Sequence, residues 1–182
     1  MSKPVSDEQN LLQRASRLET QALAEIYDTH SPGIYRYAMR LLGDMTLAEE
    51  CVAETFVRFL KSLQEQRGPR DNLQAFLYRI AHNLIVDTYR RRDQEKASEL
   101  SDALRSEADV PEEEAARHIR QEEIRKAIRR LTPDQQLVIS LKYLEEWSNE
   151  EIARTLRKPI GAVKALQHRA LRSMYRLLKE KS

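Results

Sequence analysis

Apolar residues recur along this chain at steps of three and four, the spacing that places them on one face of an α-helix. In the first 63 residues the stripes consist of Leu23, Ile26 and Tyr27, then Ile34, Tyr37, Ala38, Leu41 and Leu42, then Leu47, Cys51, Val52, Phe56, Phe59, Leu60 and Leu63. The sequence Ser31-Pro32-Gly33 predicts a break between the first two stripes. No stretch alternates apolar and polar residues as a half-buried strand would, so the pattern predicts an all-α protein.

Capping and turn residues predict where the helices of the first half begin and end. Gly43-Asp44 predicts the end of one helix, and Thr46 predicts the start of the next, with Glu49 as its partner in a capping box. A polar loop over residues 64–72 precedes another helix, which ends in the basic sequence YRRR. The apolar face of that helix consists of Leu73, Phe76, Leu77, Ile80, Ala81, Leu84, Ile85 and Tyr89.

The second half carries two further start signals. Thr132 followed by Pro133 predicts an N-cap with proline at the first helical position, and Ser148 with Glu151 predicts a capping box for a short helix. After residues 157–159, a longer amphipathic helix is predicted to about Lys179. Its predicted buried face holds Val163, Leu166, Ala170, Leu171, Met174, Leu177 and Leu178. Its predicted outward face holds Lys164, Ala165, His168, Arg169, Arg172, Tyr175 and Arg176.

Two structures fit this pair of helices. One is a helix-turn-helix that presents its second helix to the major groove of DNA, and the other is an antiparallel hairpin whose basic face is merely solvated. Residues 147–182 contain 9 Lys+Arg against 3 Asp+Glu, and most of the excess lies on the outward face. A solvated face usually mixes both signs of charge, so the pattern favours DNA binding.

The net charge of +2 conceals a strong asymmetry along the chain. Residues 1–92 carry a net +1, residues 93–116 a net −7 and residues 117–182 a net +8. The acidic stretch has few large apolar groups and cannot bury enough surface to offset its ordering entropy. The sequence therefore predicts two small helical domains, 1–92 and 118–182, joined by a flexible acidic linker over 93–117.

Several classes of protein are disfavoured by what the sequence lacks. No apolar run approaches the roughly 20 residues that span a bilayer, and the first residues lack the apolar core of a secretory signal. The single cysteine, Cys51, excludes an internal disulfide and is predicted to be a buried thiol. The histidines are scattered singly, without the spacing of a metal site, at His30, His82, His118 and His168. We predict a cytoplasmic protein that is not an enzyme and holds no metal or cofactor.

Two segments resemble a known family in the same order along the chain. The sequence LTPDQQLVISLKYLEEWSNEEIARTLRKPIGAVKALQHRALRSM resembles the promoter-binding C-terminal domain of bacterial sigma factors of the extracytoplasmic-function (ECF) group, within the sigma-70 family. In the first half, LLGDMTLAEECVAETFVRFLKSL resembles the sigma helix that docks on RNA polymerase. The segment LQAFLYRIAHNLIVDTYRRR resembles the part that recognises the −10 promoter element. The resemblance covers nearly all of residues 20–92 and 118–180.

The resemblance implies roles for particular residues of the first half. It assigns binding to the clamp helices of the polymerase's largest subunit to Glu50, Glu54 and Arg58. It assigns contacts with the −10 element to Arg67, Arg70, Asn72, Asn83, Asp87, Arg90 and Arg91. Ala53 stands where the family often has Gln, and His82 replaces the first Arg of the family pattern R-N-x-x-x-D-x-x-R. Asp87 is equally compatible with a structural role as the partner of a nearby Arg.

In the second half the resemblance assigns recognition of the −35 element to Lys164, His168, Arg169 and Arg172. Leu166 stands where the family often has Arg, which removes one hydrogen-bond donor and favours a different base preference.

These assignments predict a sigma factor that binds core RNA polymerase, directs it to promoter DNA and promotes opening of the −10 region. In the family an anti-sigma factor often covers the same surfaces, and it is a further expected partner. Two alternatives remain at this stage. One is a helix-turn-helix regulator that binds duplex DNA without polymerase, and the other is a helical protein-interaction module.

Overall fold

The computed structural model describes residues 5–98 and 112–179, and within these ranges the chain forms eight helices and no strand. This confirms the predicted all-α fold. In chain order the helices are α1 (Val5–Ser16), α2 (Thr20–Leu42), α3 (Met45–Gln64), α4 (Leu73–Ser98), α5 (Glu112–Arg129), α6 (Pro133–Tyr143), α7 (Asn149–Leu156) and α8 (Ile160–Lys179).

The first four helices form the N-terminal unit, in which α2, α3 and α4 pack on one another. Its largest fully buried side chains are Tyr37, Phe59, Ile26, Ile34, Leu41, Leu73, Leu77 and Ile85. Burial of each such side chain contributes about 1.5–3 kcal/mol, so this core is the main source of the unit's stability. Helix α1, which the sequence analysis did not predict, packs on α2 and α3 and buries Leu11, Leu12 and Ala15.

The predicted break at Ser31-Pro32-Gly33 is wrong, because α2 continues through it with Pro32 in its interior. A proline inside a helix removes one backbone hydrogen bond and costs about 3 kcal/mol. The apolar stripe nevertheless stays in phase across Pro32, and both Ile26 and Ile34 are fully buried. Packing on both sides of the proline therefore outweighs the lost hydrogen bond.

The junction between α2 and α3 confirms one predicted cap and corrects another. Gly43 ends α2 in the left-handed conformation, at φ 66°, and its N–H donates to the Met39 carbonyl at 2.9 Å. The N-cap of α3 is Asp44, whose Oδ1 accepts from the Leu47 N–H at 3.0 Å. Thr46 lies inside the first turn, so its predicted capping box is wrong. Asp is as good an N-cap as Thr or better, and Asp44 directly follows the glycine that ends α2.

Helices α5–α8 form the C-terminal unit, where both predicted caps are confirmed. Thr132 and Gln135 form a capping box at the start of α6, with Pro133 at the first helical position. Ser148 and Glu151 form another at the start of α7. Hydrogen bonds from the Ser148 backbone N–H and hydroxyl lower the pKa of the Glu151 carboxyl.

Several residues of the predicted apolar stripes are partly exposed. Tyr27 is 46% exposed, Leu60 37% and Leu171 44%. Each lies at the edge of its helical stripe, where a step of three or four residues alone does not decide whether a neighbouring helix covers the side chain.

The two units pack against each other, chiefly where the loop between α6 and α7 meets α2 and α4. The Tyr78 hydroxyl donates to Glu145 Oε2 at 2.8 Å, and the Arg40 guanidinium donates to Glu145 Oε1 at 3.1 Å and to the Leu144 carbonyl. The rings of Tyr78 and Trp147 lie 5.0 Å apart. The Glu145 side chain is only 11% exposed, so these partners replace most of its hydration.

A second contact between the units is centred on His82 of α4, which is 2% exposed. Its Nε2 lies 3.1 Å from the Pro133 carbonyl, and its Nδ1 lies 2.8 Å from the Tyr37 hydroxyl. A carbonyl can only accept, so Nε2 carries the proton and Nδ1 accepts from Tyr37. Burial lowers the pKa of His82 to about 4 and raises the pKa of Tyr37, which keeps both groups neutral.

The predicted linker is shorter than expected at both ends. Helix α4 continues to Ser98, and helix α5 begins at Glu112. Asp93, inside the predicted linker, pairs with Arg129 of α5, whose guanidinium also lies 5.1 Å from the centre of the Tyr89 ring. Residues 99–111, the middle of the predicted linker, lie outside the described residues.

Candidate nucleic-acid interface

The outward face of α8 presents all four residues that the sequence analysis assigned to the −35 element. Lys164, His168, Arg169 and Arg172 are exposed. Lys164, His168 and Arg172 follow each other at four-residue steps and so lie on one face, with Arg169 beside them. On the opposite side Val163 and Ala170 are fully buried.

Helices α7 and α8 are held as a pair by contacts that the sequence analysis missed. Three residues separate them, as in a helix-turn-helix. The Gln167 side chain of α8 donates from Nε2 to Oδ1 of Asn149, the first residue of α7, at 2.7 Å. Lys158 in the turn pairs with Asp134 of α6 at 3.2 Å. The outward face of α8 therefore has a fixed orientation relative to α7 and α6.

The exposed face of α4 carries the helical part of the predicted −10 set. Asn83, Asp87 and Arg90 are exposed and lie four and three residues apart, so they form one stripe, with Arg91 beside Arg90. Arg90 Nη1 lies 3.8 Å from Asp87 Oδ1. This ion pair supports a structural role for Asp87, the alternative that the sequence left open.

Arg79 extends the same stripe and was missed. It lies four residues before Asn83, a spacing that could have identified it, and its side chain is half-buried. It lines a cleft together with Arg67 and Arg70. The cleft therefore joins the −10 residues of the helix to those of the preceding loop.

The loop over residues 65–72, called here the −10 loop, is held in place where it meets α4. Arg67 and Arg70 are exposed in its middle. Asn72 has φ 49°, and its Oδ1 accepts from the Ala75 N–H at 3.3 Å, which caps α4. The backbone N–H of Leu73, the residue after Asn72, donates to the Glu8 carboxylate of α1 at 2.7 Å. Asn72 thus combines a capping role with its predicted contact to DNA, since its amide nitrogen can still donate.

The residues assigned to polymerase binding lie on the exposed side of α3. Glu50, Glu54 and Arg58 are exposed, and Arg58 Nε donates to Glu54 Oε1 at 2.8 Å. All three line a groove of about 730 Å³ between α3 and α4. The opposite wall of this groove includes Asp87, Arg90 and Arg91, so the structure brings two predicted sets together on one surface.

Two exposed apolar residues on α3 are a feature that the sequence analysis did not assign to binding. Val57 is 56% exposed and Leu60 is 37% exposed. Val57 also lines the groove between α3 and α4, three residues after Glu54. Apolar side chains among charged ones provide a surface that a protein partner can bury.

A metal-binding centre is not found among the described residues. No group of three or more His, Cys, Asp or Glu side chains in residues 5–98 and 112–179 could hold a metal ion. Cys51 is buried as predicted, with its Sγ 3.7 Å from the Ala81 carbonyl, and burial raises its pKa to about 11. Across the same ranges, every helix is too short or too polar to cross a membrane.

Comparison with known proteins identifies the family of the chain. The chain matches the Sigma-70 region 2 family over residues 26–95 and the Sigma-70, region 4 family over residues 121–174. It is 34% identical over 171 residues to the ECF RNA polymerase sigma factor BldN of Streptomyces coelicolor, covering 92% of this chain. The chain spans 64% of the length of BldN.

Two further relatives match over most of their length. The chain is 30% identical to the ECF RNA polymerase sigma factor SigL of Mycobacterium tuberculosis, with 91% of this chain and 94% of SigL covered. The sigma factor RpoE, solved in complex with the anti-sigma factor NepR from Bartonella quintana, superposes with a TM-score of 0.53 at 25% identity. That match covers 87% of this chain and 95% of RpoE. The chain belongs to the ECF group of RNA polymerase sigma factors, in the sigma-70 family.

Proposed function

We propose that this sigma factor contacts core RNA polymerase through α3, the −10 element through α4 and the −10 loop, and the −35 element through α8. The observation that carries the proposal is the exposure of all four predicted −35 residues on one helix whose opposite side is packed into the C-terminal unit. This is the arrangement in which a recognition helix enters a major groove while its own unit supports it.

For polymerase binding, the groove between α3 and α4 supports a mixed contact. Glu50, Glu54 and Arg58 supply charge that steers and orients the partner, while Val57 and Leu60 supply apolar surface to bury. Because Arg90 and Arg91 line the same groove, docking of polymerase and binding of the −10 element would occur side by side.

At the −10 element, the α4 stripe and the −10 loop offer complementary chemistry. The exposed Asn83 amide can form a bidentate hydrogen bond with adenine, and the arginines can bind guanine or phosphate. The half-buried Phe76 lies near Arg79 in the cleft beside the loop and offers a ring on which an unpaired base can stack. These groups bind and orient DNA. The polymerase performs the chemistry, so the chain itself would not act as an enzyme.

The packing of the two units bears on the order of events. The −10 loop faces α7 across a shared cleft, so a DNA strand bound to the loop would need the space that α7 borders. We therefore propose that the units separate when polymerase and promoter are bound. A complex with an anti-sigma factor, as solved for RpoE, fits a role in holding the inactive arrangement.

A run-off transcription assay tests the proposal directly. Purified core polymerase is supplied with a pool of promoter fragments, with and without this chain, and the start sites are mapped. We expect new start sites that share two upstream sequence blocks, and we expect the triple variant K164A/R169A/R172A to lose them. R14A is the matched control, because Arg14 is bound to Glu19 at 2.8 Å on the distant helix α1.

The alternative regulator gives a different result in the same assay. A helix-turn-helix protein that needs no polymerase would bind duplex promoter DNA alone and add no start sites. A protein-interaction module would tolerate the triple variant without loss of function.

A further inference from the structure

A cleft of about 460 Å³ lies between the two units, where the −10 loop faces the C-terminal end of α7. The N-terminal unit contributes Arg67, Arg70 and Arg79, and the C-terminal unit contributes Arg154 and Arg157. Asp71 is the one acidic residue of the lining. Five arginines therefore line a cleft that has a single acidic residue in its lining.

The charges of this cleft are poorly balanced within the described part of the chain. Arg67 pairs with Glu65 at 3.7 Å, and Glu65 lies outside the cleft. Among residues 5–98 and 112–179, no carboxylate lies within ion-pair distance of Arg70, Arg79, Arg154 or Arg157. Packing of the units thus gathers five arginines around one cleft, where a bound anion would offset their mutual repulsion.

The backbone at Arg157 points to the same conclusion. Arg157 ends α7 in the left-handed conformation, at φ 52°, where glycine is the usual residue because it lacks a Cβ. Glycine would adopt this conformation at the end of α7 with less backbone strain than arginine does. Arg157 instead places a charged side chain in the lining of the cleft.

Two simpler explanations cover only part of the cluster. Basic residues at the end of α7 complement the helix dipole, which accounts for Arg154 and Arg157. Solvent exposure accounts for Arg67 and Arg70, which are exposed. Neither explains why the half-buried Arg79 lines the same cleft.

We infer that this cleft binds a small anion with two or more linked phosphates, such as a nucleoside di- or triphosphate, and that this ligand bridges the two units. Arginine forks bind phosphate oxygens in pairs, and several arginines match several linked phosphates. The volume exceeds that of one phosphate, and the half-buried Phe76 in the lining offers a ring for a base. A bound anion would favour the packed arrangement and compete with DNA for the −10 loop.

The inference goes beyond the proposed function and can be tested without polymerase or promoter DNA. Isothermal titration calorimetry on the full chain, at constant ionic strength, would use inorganic tripolyphosphate, ATP and orthophosphate as probes. We expect tripolyphosphate and ATP to bind one per chain and orthophosphate to bind at least tenfold more weakly. A 12-nucleotide single-stranded DNA is titrated in the same way, because its phosphates are the other ligand that these arginines could bind.

A pair of double variants separates a built site from general attraction to a basic protein. R154Q/R157Q removes two arginines from the cleft, and R117Q/R120Q removes two exposed arginines from α5. We expect R154Q/R157Q to weaken tripolyphosphate binding at least tenfold and R117Q/R120Q to change it less than twofold. If the first double variant is unstable, R79Q provides the same test from the other unit.

Three results would overturn the inference. The first is equal loss of affinity in the two double variants, because the attraction would then be general. The second is absence of tripolyphosphate and ATP binding at millimolar concentration. The third is binding of the DNA strand but not of the small anions, because the cluster would then serve nucleic acid alone.

Discussion

Helices α4 and α8 both carry an exposed polar and basic stripe that we propose to bind DNA, but they are held in different ways. Along α4, Leu77, Ala81 and Ile85 are fully buried, whereas α8 fully buries only Val163 and Ala170. Helix α4 packs on α2 and α3 and also on α6 and α7 of the C-terminal unit, while the main contacts of α8 are with α5, α6 and α7 of its own unit. Recognition by α4 is therefore coupled directly to the packing of the units, whereas recognition by α8 depends chiefly on the folding of the C-terminal unit.

The largest expected effect tests whether the two helices differ in stability. Leu77→Ala on α4 leaves a cavity in the core and should lower the free energy of unfolding by about 2–5 kcal/mol. Leu171→Ala on α8, where the side chain is 44% exposed, should change it by less than about 0.5 kcal/mol. Urea unfolding followed by circular dichroism measures both, and equal losses would contradict the comparison.

A second change targets the contact that joins α4 to the C-terminal unit. Glu145→Gln removes the charge that Arg40 and Tyr78 bind and should cost about 1.5–3 kcal/mol of packing between the units. Small-angle X-ray scattering should then show a larger radius of gyration. Glu146→Gln is the matched control, because Glu146 is exposed in the same loop. A chain that stays as compact as the control would show that Glu145 does not hold the units together.

The third prediction concerns pH and distinguishes the histidines of the two helices. His82 on α4 has a pKa of about 4 when folded, below the ordinary value of 6.5, so the unfolded chain binds a proton first as pH falls. The contribution of neutral His82 to the free energy of unfolding is therefore complete above pH 6.5 and is lost as the pH falls toward 4. The free energy of unfolding should fall by about 2 kcal/mol between pH 6.5 and pH 5.

Unfolding measurements across this range should show a shallower slope for His82→Gln than for the unmodified chain. His168→Gln, on the exposed face of α8, should keep the original slope. Asp134 of α6 also influences His82, so Asp134→Asn provides a second control for the charge that faces the ring. An unchanged slope in His82→Gln would assign the acid sensitivity elsewhere.

The smallest effect is expected on α8 and concerns DNA alone. Single changes of Lys164, Arg169 or Arg172 to Ala should weaken promoter binding by about 1–3 kcal/mol where the residue contacts a base. Each variant should keep the unfolding free energy of the parent within about 0.5 kcal/mol, because these side chains are exposed. Fluorescence anisotropy with polymerase and labelled promoter measures the first quantity. If a variant lost as much unfolding free energy as binding free energy, DNA recognition by α8 would depend on these side chains for stability, as expected for the buried residues of α4.

Local signals in the sequence predicted the parts of the fold that neighbouring residues determine. Thr132 and Ser148 begin helices as expected, and Gly43 ends one, because each cap involves groups only a few residues apart. The break at Pro32 failed because packing over the whole of α2 decided the outcome. Asp44 displaced Thr46 as a cap because two good capping residues stood two positions apart.

The candidate site was predictable to a different extent. The four −35 residues were predicted from helical periodicity and from the resemblance. The structure shows that all four side chains are exposed. Arg79 could have been identified by the same periodicity, because it lies four residues before Asn83. The bond from Tyr78 to Glu145 joins residues 67 positions apart, and the bridge from His82 to Pro133 spans 51. No local pattern encodes such pairs, so the packing of the two units could not be predicted from the sequence.

Helix α7 has only eight residues, and a helix of that length has almost no stability by itself in water. Its order therefore depends on its neighbours, which are α4 on one side and α6 and α8 on the other. Loss of the α4 contacts would leave α7 supported from one side only, and its fluctuations would increase. The C-terminal unit would then be less ordered than in the packed arrangement when it binds DNA. Part of its conformational entropy would therefore be lost only on binding to the promoter.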